Sequence, residues 1–338
     1  VKRRTDDVTA AAGGTSGRTP NARRRGRNGE EPMVPRATFD SYYGRPVIKA
    51  PGWSARDIAG YFFLGGLAGA GSVLAAGAHL TGRTATATVM KLSSLAAITL
   101  SAAALVNDLG RPGRFANMLR VVKPTSPMSV GSWLLSAYGP CAGAAALCAA
   151  TGRLPRAGVA ATGAAAVLGP AVAAYTAVLA ADTAVPAWHG VHRELPYVFV
   201  ASATAAASGM ALVLAPSCES GPARCAAVLA AAGEISTMSA AERRLGMVAE
   251  TYREGRAGRL LRAARVLTVA GAAGAALYGR RSRTVAVGSG VMLLAGSACT
   301  RFGVFAAGVA SAEDPAYTVR PQRAAKDREG LRGAAGCA

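Results

Sequence analysis

The sequence predicts an all-helical, polytopic membrane protein, and three observations carry that prediction. Of the 338 residues, 51% are hydrophobic and only 17% are charged, whereas soluble domains carry about a quarter charged residues. The charges are also unevenly placed: they crowd into the ends and the connecting stretches and leave eight long apolar runs between them. Those runs are continuous and do not alternate apolar with polar residues, which excludes the strands of a membrane barrel.

A membrane-crossing helix needs about 20 mostly apolar residues. Residues 1–38 do not qualify. They carry almost no large apolar side chains, so they cannot offset their ordering entropy and are expected to be a disordered tail. No apolar stretch follows their basic residues closely enough for a secretory signal, and the tail can touch anionic lipid. The membrane domain is expected over 39–315, with spans at 57–80, 87–106, 130–150, 158–182, 196–215, 224–242, 262–279 and 284–311. Gly65 and Gly69 in the first span form a small-xxx-small pair that lets another helix approach. The sixth and seventh spans are the weakest, being rich in Ala and poor in Leu and Phe. Residues 316–338 form a C-terminal tail.

Eight spans put both termini on one side. That side holds 28 Lys and Arg against 7 on the other, so it is expected to face the cytoplasm of a prokaryotic cell from its plasma membrane. The same bias explains the formal net charge of +20 without nucleic acid as a partner. Membrane lipid is the partner that the composition implies.

The connection between the second and third spans, NDLGRPGRFANMLRVVKPTSPMSVGSW (107–133), is unusual. Its glycines and prolines restrict the backbone, and Arg111 and Arg114 present cationic forks suited to carboxylates of a partner. Asp108, at the end of the second span, is placed either to pair with one of them or to stand near a bound substrate.

The chemistry of redox centres narrows the possibilities. Of the three histidines, His79 falls at one end of the first span, and His189 and His192 fall in the loop before the fifth. They cannot face one another across a buried haem. The six cysteines contain no CxxC spacing, which argues against an iron–sulfur or zinc site in this chain. Cys141 and Cys148 read as small packing residues, and Cys218 and Cys225 stand where a disulfide is conceivable. Ionisable residues in or beside spans are costly and therefore informative. Asp57 and Tyr61 open the first span, Tyr175 and Asp182 close the fourth, Glu234 lies inside the sixth and Arg301 inside the eighth. Glu234 and Arg301 each need a partner or a water-filled pocket, and pairing with each other is one option. Asp57, Asp108 and Asp182 share one membrane face, an arrangement suited to a substrate that exchanges protons while remaining partly in lipid, such as a quinone.

Four blocks, SYYGRPVIKAPGW with YFFLGGLAGAGSVLAAGA (41–53, 61–78), DLGRPGRFANMLRVVKPTSPMSVGSW (108–133), YTAVLAADTAVPAWHGVHRELPYVFVASA (175–203) and RFGVFAAGVASAEDPAYTVRPQR (301–323), resemble the NrfD / polysulfide reductase membrane-subunit family, PsrC-like. They run in order over roughly 41–323, with 216–300 the least similar part.

That resemblance implies about eight transmembrane helices in two four-helix bundles, without haem, iron–sulfur cluster or metal in the chain. It implies a quinone, expected to be menaquinone, as bound substrate. The partners it implies are a four-cluster ferredoxin-like iron–sulfur subunit and, beyond it, a molybdopterin catalytic subunit. The chain would then be a non-autonomous part of a quinone-linked oxidoreductase, of polysulfide reductase or formate dehydrogenase-like type. On this reading Tyr175, Tyr61 and His189 bind the quinone, Asp57 and Asp182 exchange its protons, and Asp108, Arg111 and Arg114 meet the partner. Several relatives work with extracytoplasmic partners, whereas the charge count here favours a cytoplasmic one. The rival readings are a secondary transporter, which often shows internal repeats absent here, and a pure membrane anchor for a soluble complex.

Overall fold

Eight long helices make up most of the described chain: α1 (Ala55–Leu80), α2 (Thr84–Asp108), α3 (Pro127–Thr151), α4 (Pro155–Ala181), α5 (Leu195–Leu214), α6 (Gly221–Leu245), α7 (Gly255–Leu277) and α8 (Arg283–Glu313). The computed structural model describes residues 47, 48, 51–108, 119, 120 and 122–323, all within one compact unit, Ser41–Ala338. Among the described residues there is no strand. Arg111, Arg114 and the two terminal tails lie outside them, apart from 316–323, which are helical.

Local chemistry sets where the helices begin and end. Ser54 caps α1, its hydroxyl accepting the Asp57 N–H at 3.4 Å, and Asp57 places a negative charge in the first turn, where the helix dipole favours it. Proline opens α3 and α4 at the first helical position, where its missing N–H costs nothing. Gly152, at φ 66°, ends α3 in the left-handed conformation and returns its N–H to Cys148, as glycine readily does. These caps lie outside the apolar runs, which is why every helix begins before the span expected from hydropathy, although α4, α5 and α7 end one or two residues short of it.

Seven of the eight helices are long and apolar enough to cross a membrane. The exception is α6, the weakest of the expected spans along with α7. It is 25 residues long but carries Arg224, Glu234, Glu242, Arg243 and Arg244, and this polar content lowers its hydropathy. It nevertheless runs the length of the neighbouring helices. Just before its start, Glu219 accepts the Thr86 N–H of α2 at 2.7 Å. In its last turn Arg244 pairs with Glu194, beside the start of α5, at 2.9 Å.

Small residues govern the packing. Within lipid, helices gain little from hydrophobic transfer and associate through close contact and hydrogen bonds. Gly69 of α1 meets the backbone of Gly169 in α4, and Gly65 faces Ser101 of α2 and Thr176 of α4. Gly209 of α5 and Gly290 of α8 meet in the same way. A methyl group at Gly69, Gly169, Gly209 or Gly290 would collide with the facing backbone. Polar side chains tie helices further: the Tyr138 hydroxyl donates to the Ala68 carbonyl at 2.6 Å and sits 2.7 Å from Ser72 Oγ. Ser202 donates to Ser297 at 2.9 Å, joining α5 to α8.

Candidate functional site

One end of the helical body gathers the starts of α1, α3, α5 and α7 and the ends of α2, α4, α6 and α8. The Ser54 N–H donates to Asp108 Oδ1 at 3.0 Å, which joins the end of α2 to the start of α1. Asp108 therefore has a partner in the backbone of α1. The segment between α4 and α5 folds over this end. Its Trp188 is fully buried, stacks on Trp53 with ring centres 5.8 Å apart and packs against Phe305 at 5.6 Å. The indole N–H of Trp188 donates to the Val304 carbonyl at 2.8 Å, so its polar handle is satisfied as a buried indole requires. Gly308 of α8 leaves the space that the indole fills.

Further along the same helices are Tyr61 of α1 and Tyr175 of α4, which are 1% and 9% exposed. They stand on helices that pack against each other, although 114 positions separate them in the chain. The pairing follows from the tight α1–α4 approach at Gly69 and Gly169. Gly131 of α3 completes the arrangement: its hydrogen faces the Tyr175 ring, and a Cβ there would overlap the phenol. Neither hydroxyl has a hydrogen-bond partner among the described residues.

Asp57 is half-buried and lies one turn before Tyr61 on α1, the spacing that places residues on one helix face. Asp182 and His189 are exposed. His189 Nδ1 lies 3.2 Å from the Ala181 carbonyl, and its ring stacks on His192 with centres 5.5 Å apart. His189 also lines a surface cavity of about 530 Å³ with Val47, Ile48, Arg244 and Tyr317. The structure thus brings Tyr61 and Tyr175 together, sets Asp57 next to them along α1, and leaves Asp182 and His189 at the surface of the same end. The Arg111 and Arg114 expectation falls outside the described residues.

The remaining sequence expectations resolve as follows. Glu234 and Arg301 are both buried but form no ion pair with each other. Glu234 Oε1 instead accepts the Thr300 hydroxyl at 2.5 Å, and Arg301 donates to the Phe199 carbonyl at 2.6 Å with its guanidinium 3.7 Å from the Phe199 ring centre. Cys218 and Cys225 are free and exposed. No convergence of three His, Cys, Asp or Glu side chains suited to a metal occurs among the described residues.

Sequence reasoning passed over Trp53, Trp188, Tyr252 and Thr300. Tyr252 donates to the Ala187 carbonyl at 2.9 Å and so holds the segment carrying Trp188. It lies outside the long helices, and burial raises its phenol above the ordinary range. A tryptophan between two short polar stretches, PAWHGVH, was the available clue to the lid. Nothing in one dimension pointed to Thr300.

Comparison with known proteins agrees with the geometry. Residues 53–218 match the family model described as "Polysulphide reductase, NrfD". The stretch begins at Trp53, runs through α1–α5 and contains Tyr61, Tyr175, Trp188 and His189. No curated protein matches the chain. Over 53–218, just under half of the chain, the protein is therefore similar to the NrfD polysulphide reductase membrane-subunit family.

Proposed function

We propose that this chain is the quinone-reacting membrane subunit of a molybdopterin and iron–sulfur oxidoreductase. A quinol bound near Tyr61 and Tyr175 is oxidised to the quinone, releasing two electrons and two protons, or the reverse reaction runs. The electrons pass to or from a ferredoxin-like iron–sulfur subunit with four clusters, which serves a molybdopterin catalytic subunit of polysulfide reductase or formate dehydrogenase-like type. Menaquinone is the expected quinone.

The observation that carries this reading is the unpartnered Tyr61–Tyr175 pair inside the segment matched by the family model. The phenols hydrogen-bond the two quinone oxygens or their water. Asp57, half-buried one turn nearer the surface, exchanges protons with the headgroup. Asp182 continues that exchange to solvent from the exposed rim, and His189 at the same rim is a further hydrogen-bond partner for the quinone. Asp108, Arg111 and Arg114 lie in or beside the α2–α3 connection, which forms part of the partner's docking face.

Several features support an eight-span chain with both termini on the cytoplasmic side. The polar helix α6 reaches both ends of the body, and Lys and Arg are concentrated at the Trp53 end. Two bundles, α1–α4 and α5–α8, are supported by the packing of α1 on α2 and α4, of α3 on α4, of α7 on α8, and of α5 on α6 and α8.

The test is purification of the tagged chain in mild detergent from its own host, with spectroscopy of the clusters that come with it. A quinol analogue should reduce those clusters in the parent complex and do so far more slowly with Asp57→Asn or Tyr175→Phe. Unchanged reduction in both variants would defeat this assignment of the site.

A further inference from the structure

A second polar site lies away from the tyrosine pair, between α6, α7 and α8. There a cavity of about 330 Å³ is bounded by Glu234, Met238, Leu261, Arg265, Thr268 and Thr300. This is far above the ~10–15 Å³ that one water needs. Two of the polar side chains in its wall are buried and incompletely bonded. Glu234 is 6% exposed and its Oε2 has no partner; Thr268 is 1% exposed and its Oγ1 has none. Buried polar atoms of this kind are ordinarily satisfied, by water where protein groups are lacking.

The cavity continues toward the Trp53 end, where Glu242, Arg253 and Arg262 also line it. At that mouth Glu242 holds Arg253 at 3.0 Å and Arg265 at 3.4 Å. Both arginines are more than half exposed, so these contacts are weak and screened. Behind Glu234, Arg301 is fully buried, with Nε and one terminal nitrogen unpartnered. It supplies positive field without neutralising Glu234 by contact. A carboxylate buried without a paired cation is costly unless it is hydrated or takes up a proton.

We propose that this cavity is a water-filled inlet and that Glu234 is a proton-exchange site served by it. In the step, hydronium gives its proton to the Glu234 carboxylate, leaving water and the neutral acid; the reverse step returns the proton to the inlet. The groups facing Glu234 are Thr300 and Arg301 from α8, Thr268 from α7 and Ser202 from α5, with Tyr252, Glu242, Arg253, Arg262 and Arg265 lining the cavity toward its mouth. The inlet also accounts for the polarity of α6, since a helix that lines water can carry charges that one facing only lipid and protein cannot. The inference does not rest on quinone binding.

Infrared difference spectroscopy tests it on the full chain, with whatever subunits accompany it, in lipid vesicles without added quinone. A protonated-carboxyl carbonyl band should be present at low pH, fade as pH rises, shift in heavy water and vanish in Glu234→Gln. A cork provides a second test that leaves Glu234 in place: Arg265→Cys labelled with a bulky methanethiosulfonate, against the equally treated parent as the control for Cys218 and Cys225. The cork should slow the heavy-water shift at least tenfold. Absence of any such band in the parent at every pH would overturn the proposal, as would a band that never exchanges, or exchange at the same rate with and without the cork. If Glu234→Gln does not assemble, the cork comparison decides alone.

Discussion

Gly131→Ala is the sharpest probe of the tyrosine pair, because it displaces Tyr175 while leaving Asp57 and both tyrosines in the sequence. An alanine methyl at this position would lie inside the Tyr175 ring. The ring has little room to yield, being 9% exposed, so either the tyrosine moves or α3 does. Overpacking of this kind costs about 1–3 kcal/mol. If the tyrosine moves, its hydroxyl loses its bond to the bound quinol. One neutral hydrogen bond contributes about 0.5–1.5 kcal/mol, which corresponds to a loss in kcat/KM of about 2- to 13-fold. Tyr175→Phe should produce a loss in that range. Gly131→Ala should produce at least as much, since displacement also disturbs the position of the headgroup. The informative variant is the double one. Once the tyrosine is displaced, its hydroxyl contributes nothing, so Gly131→Ala with Tyr175→Phe should be no worse than Gly131→Ala alone, a non-additivity that a double-mutant cycle reads directly. The assay is steady-state quinol oxidation by the assembled complex, normalised to bound iron–sulfur clusters. Normal turnover in Gly131→Ala, or strict additivity in the double variant, would refute the reasoning.

Two further predictions concern the opposite end of the helical body. Arg283 donates to the carbonyls of Leu212, Val213 and Ala215 at 2.9, 2.6 and 2.7 Å and so closes the end of α5. Arg283→Ala should lower stability in detergent by about 1–3 kcal/mol, and Arg283→Lys should recover only part of it, because an ammonium cannot fork over three carbonyls; an unchanged unfolding midpoint would show that water replaces the arginine. The Thr86 backbone N–H, donated to the carboxylate at 2.7 Å, holds the Glu219 carboxyl below its usual range. A depressed folded value means stability that is complete above the unfolded carboxyl value of about 4.3 and is lost as pH falls through the folded value. Parent and Glu219→Gln midpoints should therefore differ at neutral pH and converge in acid; equal midpoints at pH 7 would show that the carboxylate contributes nothing to the start of α2.

Much of the fold was legible in the sequence because membrane insertion is largely a one-dimensional property. Each run of about 20 apolar residues has a favourable transfer free energy whatever its neighbours are, and every expected span became a helix. The ambiguity at α6 was partly legible, since α6 and α7 read as weak for want of Leu and Phe; α7 nevertheless qualifies as a span, and it is the charges of α6 that leave it out of the seven. The common end of Asp57, Asp108 and Asp182 followed from alternating direction alone. The helices reveal much less about their partners. They are rich in Ala and Gly around their whole circumference, so no strongly apolar stripe says which face meets which neighbour.

Tertiary structure decided those contacts. Tyr61 and Tyr175 lie on touching helices because Gly69 and Gly169 allow α1 and α4 to approach, and Gly131 leaves room for the Tyr175 ring. Trp188 closes that end because Trp53, Phe305 and the Val304 carbonyl converge on it from two other segments. Glu234 finds Thr300, and Arg301 finds the Phe199 carbonyl, where pairing between the two charges was the alternative. The sequence by itself determined which segments leave water and which end each ionisable group occupies, because both depend on local transfer energies and on counting crossings. Which side chains face one another was left to packing, where the close approach of small residues and the satisfaction of buried polar groups select one arrangement among many of similar hydropathy.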